Sequence, residues 1–116
     1  MIVLLLLNAV SAMAGIGFAI LAVLRPAALT GEGTESDGGP FYARMYAAKA
    51  VPFGVVVAVV PFLATGAIPG LCLLGASVSQ MADATIGFRR GDLRQTVGSA
   101  VAATVHAVVA TLVWRA

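Results

Sequence analysis

Four long apolar runs alternate with short polar breaks along the chain. The first spans about residues 2–24, Ile2 to Leu24, and stops at Arg25-Pro26. The second begins near Tyr42 and continues to about residue 64, the third covers about 69–88, and the fourth about 93–114. Each is long enough to cross the ~30 Å hydrocarbon core of a bilayer as a helix, which takes about 20 residues. None shows the strict apolar/polar alternation of a barrel strand, and none has the polar outer face that a soluble bundle helix needs. The pattern therefore predicts an all-α fold, a single integral membrane four-helix bundle made of the whole chain, residues 1–116, with one polar loop at 25–40.

The breaks carry their own signals. Residues 25–40 include Pro26, Gly31, Gly33, Gly38, Gly39 and Pro40 with Glu32, Glu35 and Asp37, and read as a solvated loop. A metal site from those three acids is a weak alternative, because the calcium-hand spacing is missing. Thr65-Gly66 closes the second span, and Pro69 fits the first turn of the third. The link between these two spans is short, so the third helix is expected to return beside the second as an antiparallel neighbour. Pro52 and Pro61 each remove a backbone hydrogen bond within the second span, and kinks are expected there. Asp92 with Gln95 three residues later reads as the capping-box start of the fourth helix.

Within the spans, small residues recur every fourth position. Ser11, Gly15 and Ala19 form one such face, and Gly98, Ala102, His106 and Ala110 another, so both are expected to pack against helices. The third span has a more polar stripe of Gly75, Ser79, Asp83 and Gly87, with Gln80 adjacent, which should face protein and not lipid.

Composition agrees with this reading. The 116 residues are 60% hydrophobic and 10% charged, with a mean hydropathy of +1.01, whereas a soluble domain is about 25% charged. The net charge of +2 is better explained by topology signals than by a nucleic-acid surface, and nucleic acid is excluded as a partner. Arg25, Arg44, Lys49, Arg89, Arg90 and Arg94 lie on or near the side of the first and third loops, leaving Arg115 opposite. The positive-inside rule then expects loops 25–40 and 89–92 in the cytoplasm and both termini outside. A competing reading of the first span as a signal peptide, from Ala12-Met13-Ala14, lacks a basic residue before the apolar run. Cys72, the single cysteine, lies among leucines and reads as a packing residue.

Ionisable and polar residues inside the spans are the candidate chemistry. By helical rise, Lys49 lies ~10 Å inside, Asp83 ~9 Å, Gln80 ~14 Å and His106 ~15 Å from its helix end. Asn8 lies ~10 Å in from the other surface. An isolated charge at the centre of a helix in hydrocarbon costs roughly 2.5–3.5 kcal/mol on insertion scales, which favours pairing Lys49 with Asp83. Arg44 is the competing partner. Tyr42, Tyr46, Lys49 and Phe53 share one helix face, while Arg44 points away from it. At its depth His106 is expected as a neutral imidazole bonded to Gln80, Ser99 or a backbone carbonyl. These groups form either a polar ladder that sets helix register or an internal site centred on Asp83 and His106.

On Phe41-Tyr42-Ala43-Arg44-Met45-Tyr46-Ala47-Ala48-Lys49, with Asp83 in the third span and His106 in the fourth, the chain resembles a family of small four-helix bacterial membrane proteins, domain of unknown function 4267, DoxX-like in pattern. The resemblance implies a bacterial plasma membrane protein and matches the family's recurrent Arg, Asp and His to Arg44, Asp83 and His106. The family's Gly-x-Arg appears here as Ala47-Ala48-Lys49, which strengthens Arg44 as the partner of Asp83. No activity comes with the match.

The leading expectation is thus a small polytopic membrane protein whose polar site binds a small lipophilic molecule or a partner. The alternatives are a proton-coupled transporter acting as a homodimer and a membrane enzyme on a lipophilic substrate. No nucleophile motif, metal-ligand cluster or phosphate loop is present to name a reaction, and no cofactor or metal is expected.

Overall fold

A computed structural model describes residues 1–25 and 39–116, so Glu32, Glu35 and Asp37 lie outside the described residues. Among the described residues the chain forms four α-helices: α1 (Ile2–Leu24), α2 (Gly39–Leu63), α3 (Ala67–Arg89) and α4 (Leu93–Arg115). All four are long and apolar enough to cross a membrane. At 23 to 25 residues each reaches about 34–38 Å, a little more than the hydrocarbon thickness.

The distribution of side chains is that of a protein dissolved in lipid. Large apolar residues such as Val10, Met13, Phe18, Val55, Val59, Leu71, Val78, Val101 and Val108 are exposed, while the buried positions hold alanines, a few larger apolar residues and the polar Asn8, Ser77 and His106. Helices in lipid gain nothing from hiding leucine from its surroundings, so contact is driven by close approach and interhelical hydrogen bonds. The central cluster of Ala12, Val57, Leu73, Ala76, Val109, Ala110 and Val113 accordingly draws on all four helices.

The bundle is two hairpins. Helix α2 packs along α1, and α3 packs along α4; the two hairpins meet chiefly through α1 and α4, and α2 touches α3 only slightly. Glycine sets both tight pairs. A Cβ on Gly54 would come within 2.6 Å of the Ile16 side chain, and one on Gly87 within 2.9 Å of the Thr96 backbone nitrogen. The α3/α4 pair adds polar ties: Ser77 Oγ donates to the Ala103 carbonyl at 2.8 Å, and Gln95 Nε2 donates to the Asp83 carbonyl at 3.0 Å.

The slight α2/α3 contact corrects the expectation that α3 returns beside α2. The link from α2 to α3 is held instead by the end of α4, because Gly66 N–H donates to the Val113 carbonyl at 2.8 Å and Trp114 lies over Gly70. Gly66 has φ +106°, a conformation that favours glycine. Helix α2 runs unbroken through Pro52 and Pro61 and begins at Gly39, with Pro40 in its first turn.

At the other turn, Asp92 caps α4 as expected, its carboxylate accepting from Gln95 N–H at 3.1 Å. The reciprocal half of the capping box is absent: the Gln95 side chain reaches across to Asp83, and Asp92 N–H donates to the Gly87 carbonyl at 2.8 Å. Gly91, at φ +72°, makes the turn.

Candidate functional site

The expected polar ladder divides into two separate groups. The first is a closed knot. Asn8 on α1 is fully buried and His106 on α4 is 1% exposed. Asn8 Nδ2 donates to the Val57 carbonyl on α2 at 2.9 Å. That leaves Asn8 Oδ1 as an acceptor, so His106 donates to it from Nδ1–H across 2.7 Å. The Val57 carbonyl is available because its helical donor would be residue 61, and Pro61 has no N–H. Asn8 therefore supplies the bond that Pro61 removes, and His106 completes the amide. No buried side-chain nitrogen or oxygen among the described residues lacks a partner.

The expected partners of His106, Gln80 and Ser99, are not the ones found. Nor do Asp83 and His106 form one centre. The Ser77–Ala103 bond and the Gly87–Thr96 approach set the α3/α4 register. In that register Asp83 lies level with about residue 98, some 11 Å along the bundle from His106.

The second group borders the seam between α2 and α3. One contact gives its register: the Phe53 ring lies against Gly75. The antiparallel pairing then sets Lys49 level with Ser79 and Asp83 level with Met45. On the α3 wheel Asp83 sits between Gln80, about 60° away and reaching toward Gly15 of α1, and Gly75, about 80° the other way and facing α2. Asp83, half-buried, therefore lies on the inward side of α3, between its α1-facing and α2-facing positions. On α2, Tyr46, Phe53, Tyr42 and Lys49 share the seam-side face, with the exposed Lys49 at its outer margin, about 40° from Phe53 and 60° from Tyr46.

Arg44 falls about 160° round α2 from Tyr46, away from α3. This separates it from Asp83, the partnership that the family resemblance favoured. Among the described residues no ion pair joins Asp83 to Lys49 or Arg44. Arg44, Lys49, Tyr42 and Tyr46 are all exposed in the bundle. The Gly75-Ser79-Asp83-Gly87 stripe is likewise only partly covered by protein. Gly87 is buried against α4, Asp83 is half-buried, and Gly75 and Ser79 are exposed at the seam.

Two shallow grooves lie elsewhere. One of about 150 Å³ is bordered by Leu74, Ala110, Thr111 and Trp114, and one of about 390 Å³ runs along α4 past Thr96, Ala100 and Thr104. Neither includes a charged group from the spans beyond Arg115 at the helix end. No group of three or more His, Cys, Asp or Glu able to hold a metal ion occurs among the described residues.

The Asn8–Val57 bond could have been found from the sequence. Pro61 announces an orphan carbonyl four residues earlier, and Asn8 is the one amide in α1. The seam could not, since it depends on α3 choosing α4 over α2. No family model, curated protein or solved structure matches the chain.

Proposed function

We propose that this is a bacterial plasma membrane protein of the DoxX-like kind which binds a small lipophilic molecule at the α2/α3 seam, with loops 25–40 and 89–92 cytoplasmic and both termini outside. The observation that carries the reading is the half-buried Asp83 carboxyl group facing a seam that two consecutive helices leave largely unpacked. Ionisable groups within a membrane span are costly and mark sites or pathways more often than packing. Here the seam opens to lipid, so an occupant enters sideways from the bilayer. Phe53 and Tyr46 supply apolar and aromatic contact, and Asp83, Gln80 and Ser79 supply polar groups.

The role expected for His106 changes accordingly. With Asn8 it holds α1, α2 and α4 in register, and the ligand site rests on Asp83 and not on an Asp83/His106 pair. Interhelical polar bonds of this kind contribute about 0.6 and up to about 1.7 kcal/mol each in membranes.

The test is mass spectrometry of molecules that co-purify in mild detergent. Gly75→Leu places a side chain in the seam beside Phe53 while leaving the α3/α4 face untouched. Loss of a co-purifying amphiphile in Gly75→Leu, with helicity and elution volume unchanged, is the expected result. Identical retention in the wild type and Gly75→Leu would remove the seam as a binding site.

A further inference from the structure

The two charges at the seam stand in a definite order from the lipid inward. Lys49 occupies the outer margin on α2, and Asp83 faces the interior between α1 and α2 from α3. They lie one turn apart along the bundle, about 6 Å. The Lys49 side chain leans toward the N-terminal end of α2, and that of Asp83 toward the N-terminal end of α3. Because the helices are antiparallel, these leanings bring the two charged groups toward one depth, on opposite sides of the opening. A molecule entering sideways meets a cation first and a carboxylate second.

Resting on the seam reading above, we infer that the occupant is an aminophospholipid, its phosphate on Lys49 and its terminal ammonium on Asp83. The order of groups along such a lipid, acyl chains, then phosphate, then amine, matches the order lipid, Lys49, Asp83 from outside to inside. An anionic lipid without an amine satisfies Lys49 but brings no cation to Asp83; in phosphatidylglycerol a neutral glycerol takes that place. A neutral diacylglycerol leaves Lys49 without an anion. Tyr46, on the same α2 face and nearer the interior than Lys49, offers a hydroxyl to either group. Phe53, deeper along the same face, lies where the acyl chains leave the headgroup.

The experiment is native mass spectrometry of the full chain, delipidated and then incubated with phosphatidylethanolamine, phosphatidylglycerol or diacylglycerol of identical chains, with soluble O-phosphoethanolamine as competitor. The wild type is expected to retain phosphatidylethanolamine at least about tenfold over phosphatidylglycerol, a difference of ~1.4 kcal/mol. Asp83→Asn should bring the two lipids close to parity. Lys49→Met should weaken both toward diacylglycerol, and Lys49→Arg should restore them. Free O-phosphoethanolamine should compete poorly, since it has no chains to seat along Phe53.

Equal retention of all three lipids, abolished by Gly75→Leu, would overturn the headgroup assignment and leave the seam site standing. Preferences unchanged in Asp83→Asn and Lys49→Met would overturn the assignment in the same way. Effective competition by the free headgroup would transfer the site from lipids to soluble phosphoamines. Retention that Gly75→Leu leaves unaltered for every lipid would remove both the assignment and the seam.

Discussion

The His106 Nδ1 and the Asn8 Oδ1 lie 2.7 Å apart across the α1/α4 interface, and Asn8 in turn bonds the carbonyl that Pro61 leaves without a helical donor. Three helices are thus joined by one side-chain amide. The arrangement explains how the buried Pro61 is tolerated within α2: the freed backbone group is satisfied by a neighbouring helix, as lipid-embedded helices require.

Removing either side chain of the knot strands a buried polar group, so His106→Ala and Asn8→Ala should each lower stability by about 1–3 kcal/mol. Because they share one bond, the double variant should be less destabilised than the sum of the two. Reversible unfolding in mixed micelles measures this. Strict additivity would show that the two side chains act separately.

Pro61→Ala restores an N–H that can donate to the Val57 carbonyl within α2. In that background Asn8→Ala should cost less than in the wild type, by about 0.5–1.5 kcal/mol, the net worth of one hydrogen bond. An undiminished cost for Asn8→Ala would mean that the Val57 carbonyl was not what Asn8 serves.

Two glycines in facing helices should respond with opposite sign. Gly87→Ala forces a methyl group to within 2.9 Å of the Thr96 backbone and should destabilise the α3/α4 hairpin by about 1–3 kcal/mol, as overpacking does. Gly98→Ala meets nothing within 4 Å and should stabilise α4 by roughly 0.4–1 kcal/mol through reduced chain entropy. Thermal unfolding in a fixed detergent compares the two directly.

The distribution of basic residues predicts the topology. In a Cys72→Ser background, a cysteine at Ser36 should react with a membrane-impermeant maleimide only from the cytoplasmic face, and one at Ala116 only from outside. The reverse labelling would invert the orientation and move the seam's charged end to the other leaflet.

Length and apolar runs made the four spans legible, since an uninterrupted apolar helix is the simplest way for ~20 consecutive apolar residues to satisfy their backbone in lipid. The observed ends agree with the expected ones to within a few residues; the largest difference is the start of α2 at Gly39. The cap at Asp92 was equally readable, being local. The small face of α4 was too: Ala102, His106 and Ala110 are buried as their four-residue spacing implied, although Gly98 at the same spacing is open.

Partner choice was not readable. Spacing shows that a helix has a face for packing but not which helix meets it, and in lipid no gradient of hydrophobicity ranks the candidates. Depth put Lys49 and Asp83 at one level, and the family pattern offered Arg44 to Asp83; neither ion pair forms among the described residues. The determining contacts are long-range. Val113 and Trp114 hold the α2–α3 link on α4, Gln95 is drawn across to Asp83, and Asn8 turns to the gap at Pro61. The sequence by itself determined the solvent, the number of spans and their ends, because those depend on runs of neighbouring residues. Only the tertiary structure decided that the polar residues divide into a closed knot and an open seam, because that depends on which helix satisfies each polar group inside the bilayer.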